Sequence, residues 1–291
     1  MITMPFMMGA RAKEEVWEIT VNTEATTTGA KTTGIPISLY NQPGITVSVD
    51  WGDGTNSVLT QASYTDGDYT PSTHEYATPG TYTVQMKSTK WSKLYIDSLG
   101  SSSSGTLIHL QAFRDTLVEC GSLPVFKGIA YKINSTTSIN FMPASVLNLF
   151  NSCHKLASIS EGVFHNNDIT TFSSCFNNCS SLTSIPSTLF NNNPNATSFY
   201  YCFSACSGLT SIPSELFNNN PNVTNFGYCF SYCSNITDFT LRINSSVVSS
   251  ASIFVTIKSG TTRTIYVPSG STTETTFNSV ASGLGLTIIG E

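Results

Sequence analysis

Residues 175–221, CFNNCSSLTSIPSTLFNNNPNATSFYYCFSACSGLTSIPSELFNNNP, state nearly the same phrase twice. The apolar positions recur every 27 residues, and they continue into the flanking sequence. The matching sets are Phe172, Phe199 and Phe226; Cys175, Cys202 and Cys229; Phe176, Phe203 and Phe230; Cys179, Cys206 and Cys233; Leu182, Leu209 and Ile236. Such a period predicts a solenoid, because each coil can bury its apolar edge only against its neighbours.

Further copies flank this pair. An earlier copy, offset by 26 residues, contains Val146, Leu149, Phe150, Cys153, Leu156 and Ile159. A fainter copy, spaced by 36 residues, contains Phe113, Leu117, Cys120 and Leu123-Pro124. The irregular spacing makes 130–139 either an insertion or a distorted coil. A sixth copy is expected to start at Ile253, with Thr256 and Ile257 in the paired slots.

Each coil has a predicted internal order. The slots F-x-x-C-F-x-x-C-x-x-L-x-x-I-P indicate one short strand followed by a turn through the core. The segment SIPSELFNNNP indicates a single helical turn, with Pro213 near its start and with Leu216 and Phe217 directed inward. The turn is expected to end at NNNP, since the residue before a proline disfavours helix.

The slots resemble the BspA-type leucine-rich repeats of bacterial and viral surface proteins. The phrase C-S-S-L-T-S-I-P at 179–186 carries this resemblance, which covers roughly 107–239. TIYVP at 264–268 resembles the segment that closes such arrays. After Phe239, the segments SIFVTI, TRTIYVP and GLTII indicate strands, and TETTFNSVASGLG indicates a short helix.

The chain contains eight cysteines, which allow three interpretations. A metal site requires cysteine pairs that converge, usually with C-x2-C spacing and nearby histidine, whereas stacked coils spread equivalent residues into ladders with a ~4.8 Å step. Disulfides between stacked cysteines stay open, although parallel side chains hold their Cβ atoms beyond the preferred ~3.8 Å. We expect buried, reduced thiols that pack as compact apolar groups, and no metal or other cofactor.

Residues 17–98 instead alternate apolar and polar residues, as half-buried strands do. The strands are predicted in VWEITVNT, ITVSVDWGDGT and YATPGTYTVQMK. The phrases VDWGDGT at 49–55, HEY at 74–76 and PGTYTV at 79–84 resemble the polycystic kidney disease (PKD) domain. The resemblance implies an immunoglobulin-like β-sandwich. We expect Trp51 in its core, Asp53 in a tight turn in preference to a calcium site, and His74 and Tyr76 as packed strand residues.

The predicted fold class is mainly β: an N-terminal immunoglobulin-like β-sandwich, a leucine-rich-repeat solenoid of about five or six coils, and a β-rich C-terminal cap. The corresponding segments are an arm at 1–16, the PKD-like sandwich at 17–98, the solenoid at 105–240, and a C-terminal repeat and cap at 241–291.

Composition excludes two classes of partner. Charged residues make up 11% of the chain and the net charge is -5, with no basic cluster of the kind that nucleic-acid binding requires. No apolar run reaches the ~20 residues of a membrane span. The start, MITMPFMMGARAKEE, places its apolar residues before Arg11 and Lys13, the reverse of a secretory signal. We therefore expect synthesis in a host cytoplasm.

The first residues are apolar and rich in methionine, which adapts to irregular grooves. We interpret them as a docking arm, with a disordered terminus as the alternative. The candidate docking residues are Met1, Ile2, Met4, Phe6, Met7 and Met8.

Catalysis finds little support, because no nucleophile–base set or phosphate-cradling glycine loop is visible. We expect a non-enzymatic virion structural or adhesive protein: a bacteriophage capsid decoration protein, head fibre or tail-associated protein. The arm is expected to bind other virion proteins of the capsid or tail, and the solenoid to face outward at the virion surface. Whether the protein forms homo-oligomers stays open. The alternative is a bacterial cell-surface leucine-rich-repeat adhesin that binds host protein or glycan.

Ligand contacts are expected at the slots that vary between copies. These are Ser173-Ser174, Tyr200-Tyr201 and Gly227-Tyr228, followed by Asn177-Asn178, Ser204-Ala205 and Ser231-Tyr232. Aromatic and small polar residues on a rigid face suit recognition of a glycan or a protein; alternatively, the tyrosines only cover the sheet. The candidate ligand-binding residues are Tyr200, Tyr201, Tyr228, Tyr232, Asn177 and Asn178.

Overall fold

The computed structural model describes residues 15–24, 32–35, 37–38, 44–60, 73–90, 95–98, 113, 116–120, 128–132, 139–142, 145–161, 163–164, 169–249, 252–254 and 263–291. Some predictions concern residues outside these ranges. They are the docking arm with Met1, Ile2, Met4, Phe6, Met7 and Met8, the Leu123-Pro124 slot, and the paired slots Thr256 and Ile257.

Eight strands are described in the N-terminal part. They are β1 (Glu15–Asn22), β2 (Thr32–Gly34), β3 (Ile37–Ser38), β4 (Thr46–Asp50), β5 (Asn56–Thr60), β6 (Thr73–Glu75), β7 (Thr81–Ser88) and β8 (Tyr95–Ser98). In one sheet β1, β7, β4 and β5 lie side by side, each antiparallel to the next, and β2 pairs with β6 separately. The three strands predicted by alternation are confirmed as β1, β4 and β7, and the protein is mainly β.

Trp51 lies at the centre of the N-terminal core and is fully buried, as predicted. Its indole N–H donates to the Ser57 hydroxyl at 2.9 Å, and its carbonyl accepts from the Tyr76 hydroxyl at 2.9 Å. The turn that follows requires Gly52, because its φ is +80° and a Cβ at this position would lie 2.4 Å from the Thr83 carbonyl oxygen. The alternating pattern therefore positions a buried aromatic group directly beside an exposed turn.

The sheet of β1 continues into the repeat region. Strand β9 (Leu117–Cys120) pairs antiparallel with β1, and β12 (Ser158–Ile159) pairs parallel with β9. The indole N–H of Trp17 donates to the sulfur of Cys120 at 3.4 Å across this junction. Four of the N-terminal strands, β1, β4, β5 and β7, therefore share one six-stranded sheet with strands of the first two repeats.

The described ends of the segment 130–139 belong to a pair of strands, and 133–138 lie outside the described residues. Strands β10 (Gly128–Lys132) and β11 (Ile139–Met142) pair antiparallel. Strand β10 also pairs parallel with β8, which in turn pairs with β3. Of the two alternatives for this segment, the pairing favours an insertion, since its strands join the N-terminal part.

Successive repeats stack through columns of phenylalanine rings. The longest column consists of Phe113, Phe150, Phe176, Phe203, Phe230 and Phe254, all buried. The ring centroids of Phe176 and Phe203 lie 5.3 Å apart, with planes 3° apart. The predicted inward positions of Leu216 and Phe217 are confirmed, since both are buried. The periodic slots therefore form a continuous core.

The backbone between the phenylalanine slots is a series of turns, so the prediction of a short strand there is wrong. The pairing is limited to isolated parallel bridges, such as Thr171 to Ser198. Two positions of each repeat have positive φ, for example Ser174 at 53° and Asn178 at 62°. Alternate amides still donate to the next repeat, as from Phe176 to the Cys202 carbonyl at 2.9 Å. The left-handed residues allow turns and cross-repeat bonds to coexist.

Two predicted registers differ from the structure. The first copy was predicted to precede the next by 36 residues. In the structure Cys120 pairs with Ile159, in the parallel pairing of β9 and β12, so the spacing at Cys120 is longer than predicted. In the last copy, Phe254 stacks on Phe230 at 5.8 Å, a slot that the sequence assigned to Ile257. Residues 252–254 also form no strand, contrary to the prediction for SIFVTI. The end repeats therefore depart from the 27-residue period.

The C-terminal part combines a sheet with a helix. Strands β13 (Phe239–Arg242), β14 (Arg263–Val267) and β15 (Thr287–Gly290) are parallel. Helix α1 (Thr272–Leu284) connects β14 to β15, with the Ser271 hydroxyl capping its start and Gly285 in the left-handed conformation after its end. This helix confirms the prediction for TETTFNSVASGLG.

Among the helical residues that the structure describes, none belongs to a helix with the length and hydropathy of a membrane span.

Candidate binding face

The residues that vary between repeats lie in the turns, and we call this set of positions the turn face. It consists of the eight left-handed residues and the residue before each: Leu147-Asn148, Asn151-Ser152, Ser173-Ser174, Asn177-Asn178, Tyr200-Tyr201, Ser204-Ala205, Gly227-Tyr228 and Ser231-Tyr232. These residues alternate with buried phenylalanine and cysteine slots, so the core fixes their positions. All six candidate ligand-binding residues lie on the turn face.

Three tyrosines of the turn face touch one another. The rings of Tyr201 and Tyr228, from adjacent repeats, stack with centroids 4.8 Å apart and planes 14° apart. Tyr200 meets Tyr201 edge-on at 4.5 Å and Tyr228 at 6.0 Å. Tyr232 follows at the next left-handed position and is 53% exposed, while Tyr200 is 39% exposed. The structure therefore gathers three of the predicted aromatic residues into one cluster, in which Tyr200 is exposed and Tyr201 and Tyr228 are half-buried.

Asn177 and Asn178 lie one repeat before the tyrosines. The side-chain amide of Asn177 donates to the Asn151 side-chain oxygen at 3.3 Å, and the backbone of Asn178 donates to the Ser204 carbonyl at 2.7 Å. Both asparagines are half-buried. They extend the polar part of the turn face but make no described ring or hydrogen-bond contact with the tyrosine cluster.

Tyrosine is a costly residue at the left-handed positions. Tyr201, Tyr228 and Tyr232 have φ of 55°, 58° and 61°, a conformation that costs a non-glycine residue roughly 1 kcal/mol or more. Asparagine tolerates this conformation better, and Asn148 and Asn178 occupy equivalent positions in earlier repeats. The local backbone does not favour tyrosine here, so the reason for its presence lies in what the side chain contacts.

Tyr201 is held in its neutral form by its surroundings. Desolvation, followed by the neighbouring Tyr200, raises the pKa of Tyr201 above its usual value. The phenol therefore remains a hydrogen-bond donor at neutral and mildly alkaline pH.

The cysteines lie inside the stack. All eight are free and buried, which confirms the predicted burial. The second thiol of each pair donates to a phenylalanine carbonyl of the preceding repeat: Cys179 to Phe150 at 3.1 Å, Cys206 to Phe176 at 3.0 Å, and Cys233 to Phe203 at 3.1 Å. Burial raises the pKa of Cys233 to about 12. A neutral, enclosed thiol is a poor nucleophile, so these residues serve packing and hydrogen bonding.

A buried asparagine ladder was missed by the sequence reasoning, which assigned the asparagine run only a role in ending a turn. The side-chain amide of Asn220 donates to the carbonyls of Phe190 at 3.1 Å and Asn193 at 2.9 Å. The side-chain oxygen of Asn193 accepts from the Ile169 amide at 3.0 Å. The sequence did contain a signal for this ladder, because the last asparagine before proline recurs in register in two repeats.

Asp53 forms a polar cluster with Thr55 and His74 beside the N-terminal core. One carboxylate oxygen accepts from the amide and hydroxyl of Thr55 at 3.0 and 2.6 Å, and the other lies 2.8 Å from Nε2 of His74. The His74 ring stacks on Trp51 at 4.9 Å. Desolvation raises the pKa of Asp53, but the bonds from Thr55 and His74 outweigh it and bring the pKa to about 2. The predicted turn role of Asp53 is confirmed.

Within the described ranges, no group of three or more His, Cys, Asp or Glu side chains is arranged to hold a metal ion. Comparisons with known proteins found no matching family model, no matching curated protein and no matching solved structure. The assignment of a function therefore rests on the residues and their geometry.

Proposed function

We propose that this chain is a non-enzymatic recognition protein displayed on a virion, as a decoration, fibre or tail-associated protein. The observation that carries the proposal is the cluster of the exposed Tyr200 with the half-buried Tyr201 and Tyr228, on a backbone held by cross-repeat hydrogen bonds. Rigid aromatic side chains provide contact area at low entropic cost. Three turn-face tyrosines also keep a backbone conformation that local stability alone disfavours.

The finer architecture belongs to the same proposal. The stacked phenylalanine columns, the cross-repeat hydrogen bonds and the parallel C-terminal sheet support a leucine-rich-repeat solenoid of the BspA type with a C-terminal cap. The antiparallel strands around Trp51 support a PKD-like, immunoglobulin-like sandwich. In this arrangement the N-terminal arm binds the capsid or tail, and the repeats carry the turn face outward.

The reduced thiols support assembly in a cytoplasm. Reduced cysteines are typical of reducing compartments, and all eight here are enclosed in the core. If the protein is made and assembled in the cytoplasm and is exposed only on lysis, its thiols stay reduced until then.

Display on a particle is tested by mass spectrometry of virions purified from a culture that expresses this chain. The expected result is stoichiometric incorporation of the full chain and loss of incorporation after deletion of residues 1–10. Detection of the chain on the bacterial envelope and its absence from particles would instead identify the cell-surface adhesin. Full incorporation of the truncated chain would refute the docking role of the arm.

A further inference from the structure

We propose that the turn face binds a neutral glycan, with the sugar chain lying along the stack across adjacent repeats. The inference rests on the proposed recognition function and names the ligand class of the same face. Its central contacts are the tyrosines of two adjacent coils, those of Tyr201 and Tyr228, and Asn177 and Asn178 continue the site into the coil before them.

The turn face carries no charged side chain. The sixteen residues of the turn face, which are all described, comprise only Leu, Asn, Ser, Tyr, Ala and Gly. An acidic ligand would need Arg or Lys partners, and a basic ligand would need carboxylates. A face built from amides, hydroxyls and phenols matches a ligand that carries many hydroxyls and no charge.

The turn face also combines aromatic rings with hydrogen-bonding groups. A pyranose presents C–H groups on its faces and hydroxyls on its rim, so it needs an aromatic surface beside polar groups. Tyrosine supplies both from one side chain, and Tyr200 and Tyr232 are exposed. The raised pKa of Tyr201 keeps its phenol protonated as a donor.

The spacing of the repeats along the stack suits a sugar chain. Tyr201 and Tyr228 lie 4.8 Å apart, and the core rings of the same coils lie 5.3–5.4 Å apart, as in Phe176 to Phe203 and Phe203 to Phe230. This step is comparable with the length of one pyranose residue in an extended chain. Tyr201 and Tyr228 cover each other's facing ring surfaces, so they offer a sugar their ring edges and hydroxyls, while the exposed Tyr200 and Tyr232 offer ring surface. Each coil can therefore contact one successive sugar, and the amides of Asn177 and Asn178 continue these contacts.

The contacts with a protein partner would be less well matched. Protein interfaces usually centre on Trp, Tyr and Arg anchors within an apolar core. In the coils of Tyr201 and Tyr228 the turn face offers tyrosine but no Trp or Arg, and its one aliphatic side chain is Ala205. The chemistry of the face therefore favours a saccharide, and a protein ligand becomes an outcome of the test.

The experiment uses the full chain on an array of neutral and acidic oligosaccharides that includes bacterial polysaccharides and animal-type glycans. We expect neutral oligosaccharides to bind and the arrays to identify their source. The double variant Tyr201→Asn with Tyr228→Asn should bind at least tenfold more weakly. Asparagine suits the left-handed backbone at both positions, so thermal melting should show that this variant remains folded.

The matched control replaces exposed residues of the same coil outside the turn face, Thr210→Asn with Ser211→Asn, and should bind like the parent chain. Three results would overturn the proposal: no neutral ligand, a preference for acidic sugars, or equal binding by the tyrosine double variant.

A second measurement separates the ligand class from the recognition function. Labelled protein is added to bacterial cells before and after periodate oxidation of their surface sugars. Binding that requires Tyr201 and Tyr228 and is lost after periodate supports the glycan. Binding that requires both tyrosines but survives periodate and is lost after protease treatment refutes the glycan and leaves the recognition function standing. Binding that is indifferent to the tyrosines contradicts the recognition function itself.

Discussion

The thiol of Cys206 donates a hydrogen bond to the backbone carbonyl of Phe176 in the preceding repeat, with sulfur and oxygen 3.0 Å apart. The same carbonyl also accepts the amide of Cys179 at 3.2 Å, so both of its lone pairs are used. The second cysteine of each pair therefore links neighbouring repeats by a hydrogen bond, in addition to filling space in the core. A residue chosen only for volume would leave this carbonyl partly unsatisfied.

This bond predicts that the two cysteines of one pair respond differently to serine. Cys206→Ser keeps a donor at the Phe176 carbonyl and should cost about 1 kcal/mol or less of unfolding free energy. Cys202→Ser introduces a buried hydroxyl at a position with no thiol-to-carbonyl bond among the described residues, and should cost about 2 kcal/mol. Urea unfolding measures both values. Equal losses would show that the thiol bond contributes nothing specific.

The buried thiols also predict sensitivity to alkaline pH. Burial raises the pKa of Cys120 and Cys233 to about 12 and raises the pKa of Cys206 well above its usual value. An unfolded thiol ionises near ~8.5, so above that pH the unfolded chain binds fewer protons than the native chain. The resulting stabilisation is complete below about pH 8.5 and is lost as the pH rises toward the native values.

The expected slope is about 1.4 kcal/mol of unfolding free energy per pH unit for each such thiol. Urea midpoints between about pH 8 and 10.5 should therefore fall less steeply in Cys233→Ala than in the parent chain. Because both proteins share the same tyrosines and lysines, the difference between the slopes isolates the thiol. Parallel curves would contradict the raised pKa of Cys233.

The sequence predicted the interior of the stack better than its backbone. Phe176 and Cys206 occupy periodic slots, and burial follows directly from apolar recurrence. The turns were not predicted because Tyr201 and Ala205 occupy left-handed positions that Gly or Asn usually marks. The tyrosines of the candidate face were found because they vary between copies, but their stacking depends on the turns.

The periodic pattern also failed to predict the structure at the ends of the stack. Period counting carries no information about pairing with another sheet, so the antiparallel contact of β9 with β1 was missed. The same contact explains the register error at Cys120, whose neighbours include Trp17 as well as the next coil. Phe254 stacks on Phe230, although the spacing between them is shorter than the repeat period, and a fixed period cannot predict such a change.

The cluster around Asp53 predicts a loss of stability in acid. Desolvation raises the pKa of Asp53, but the bonds from Thr55 and His74 outweigh it and lower the pKa to about 2. The stabilisation from its charged form is present above the unfolded value of ~3.9 and is lost as the pH falls toward the native value. Asp53→Asn should therefore lower the melting temperature at pH 7 and have a smaller effect near pH 2. Glu75→Gln, at an exposed site on the adjacent strand, is the control, and a deficit in Asp53→Asn that is independent of pH would contradict the role of the charge.

The asparagine ladder predicts a sharp difference between two adjacent residues. Asn220 is buried and its amide group satisfies the carbonyls of Phe190 and Asn193, whereas Asn219 is exposed. Asn220→Ala removes both bonds and leaves each carbonyl only its backbone donor, the Asn193 amide for Phe190 and the Ala196 amide for Asn193, so it should cost about 1–2 kcal/mol of unfolding free energy. Asn219→Ala should change stability by less than about 0.5 kcal/mol. Chemical unfolding of the two variants measures the contrast, and similar small losses would mean that the ladder adds no stability beyond the packing of the phenylalanine columns.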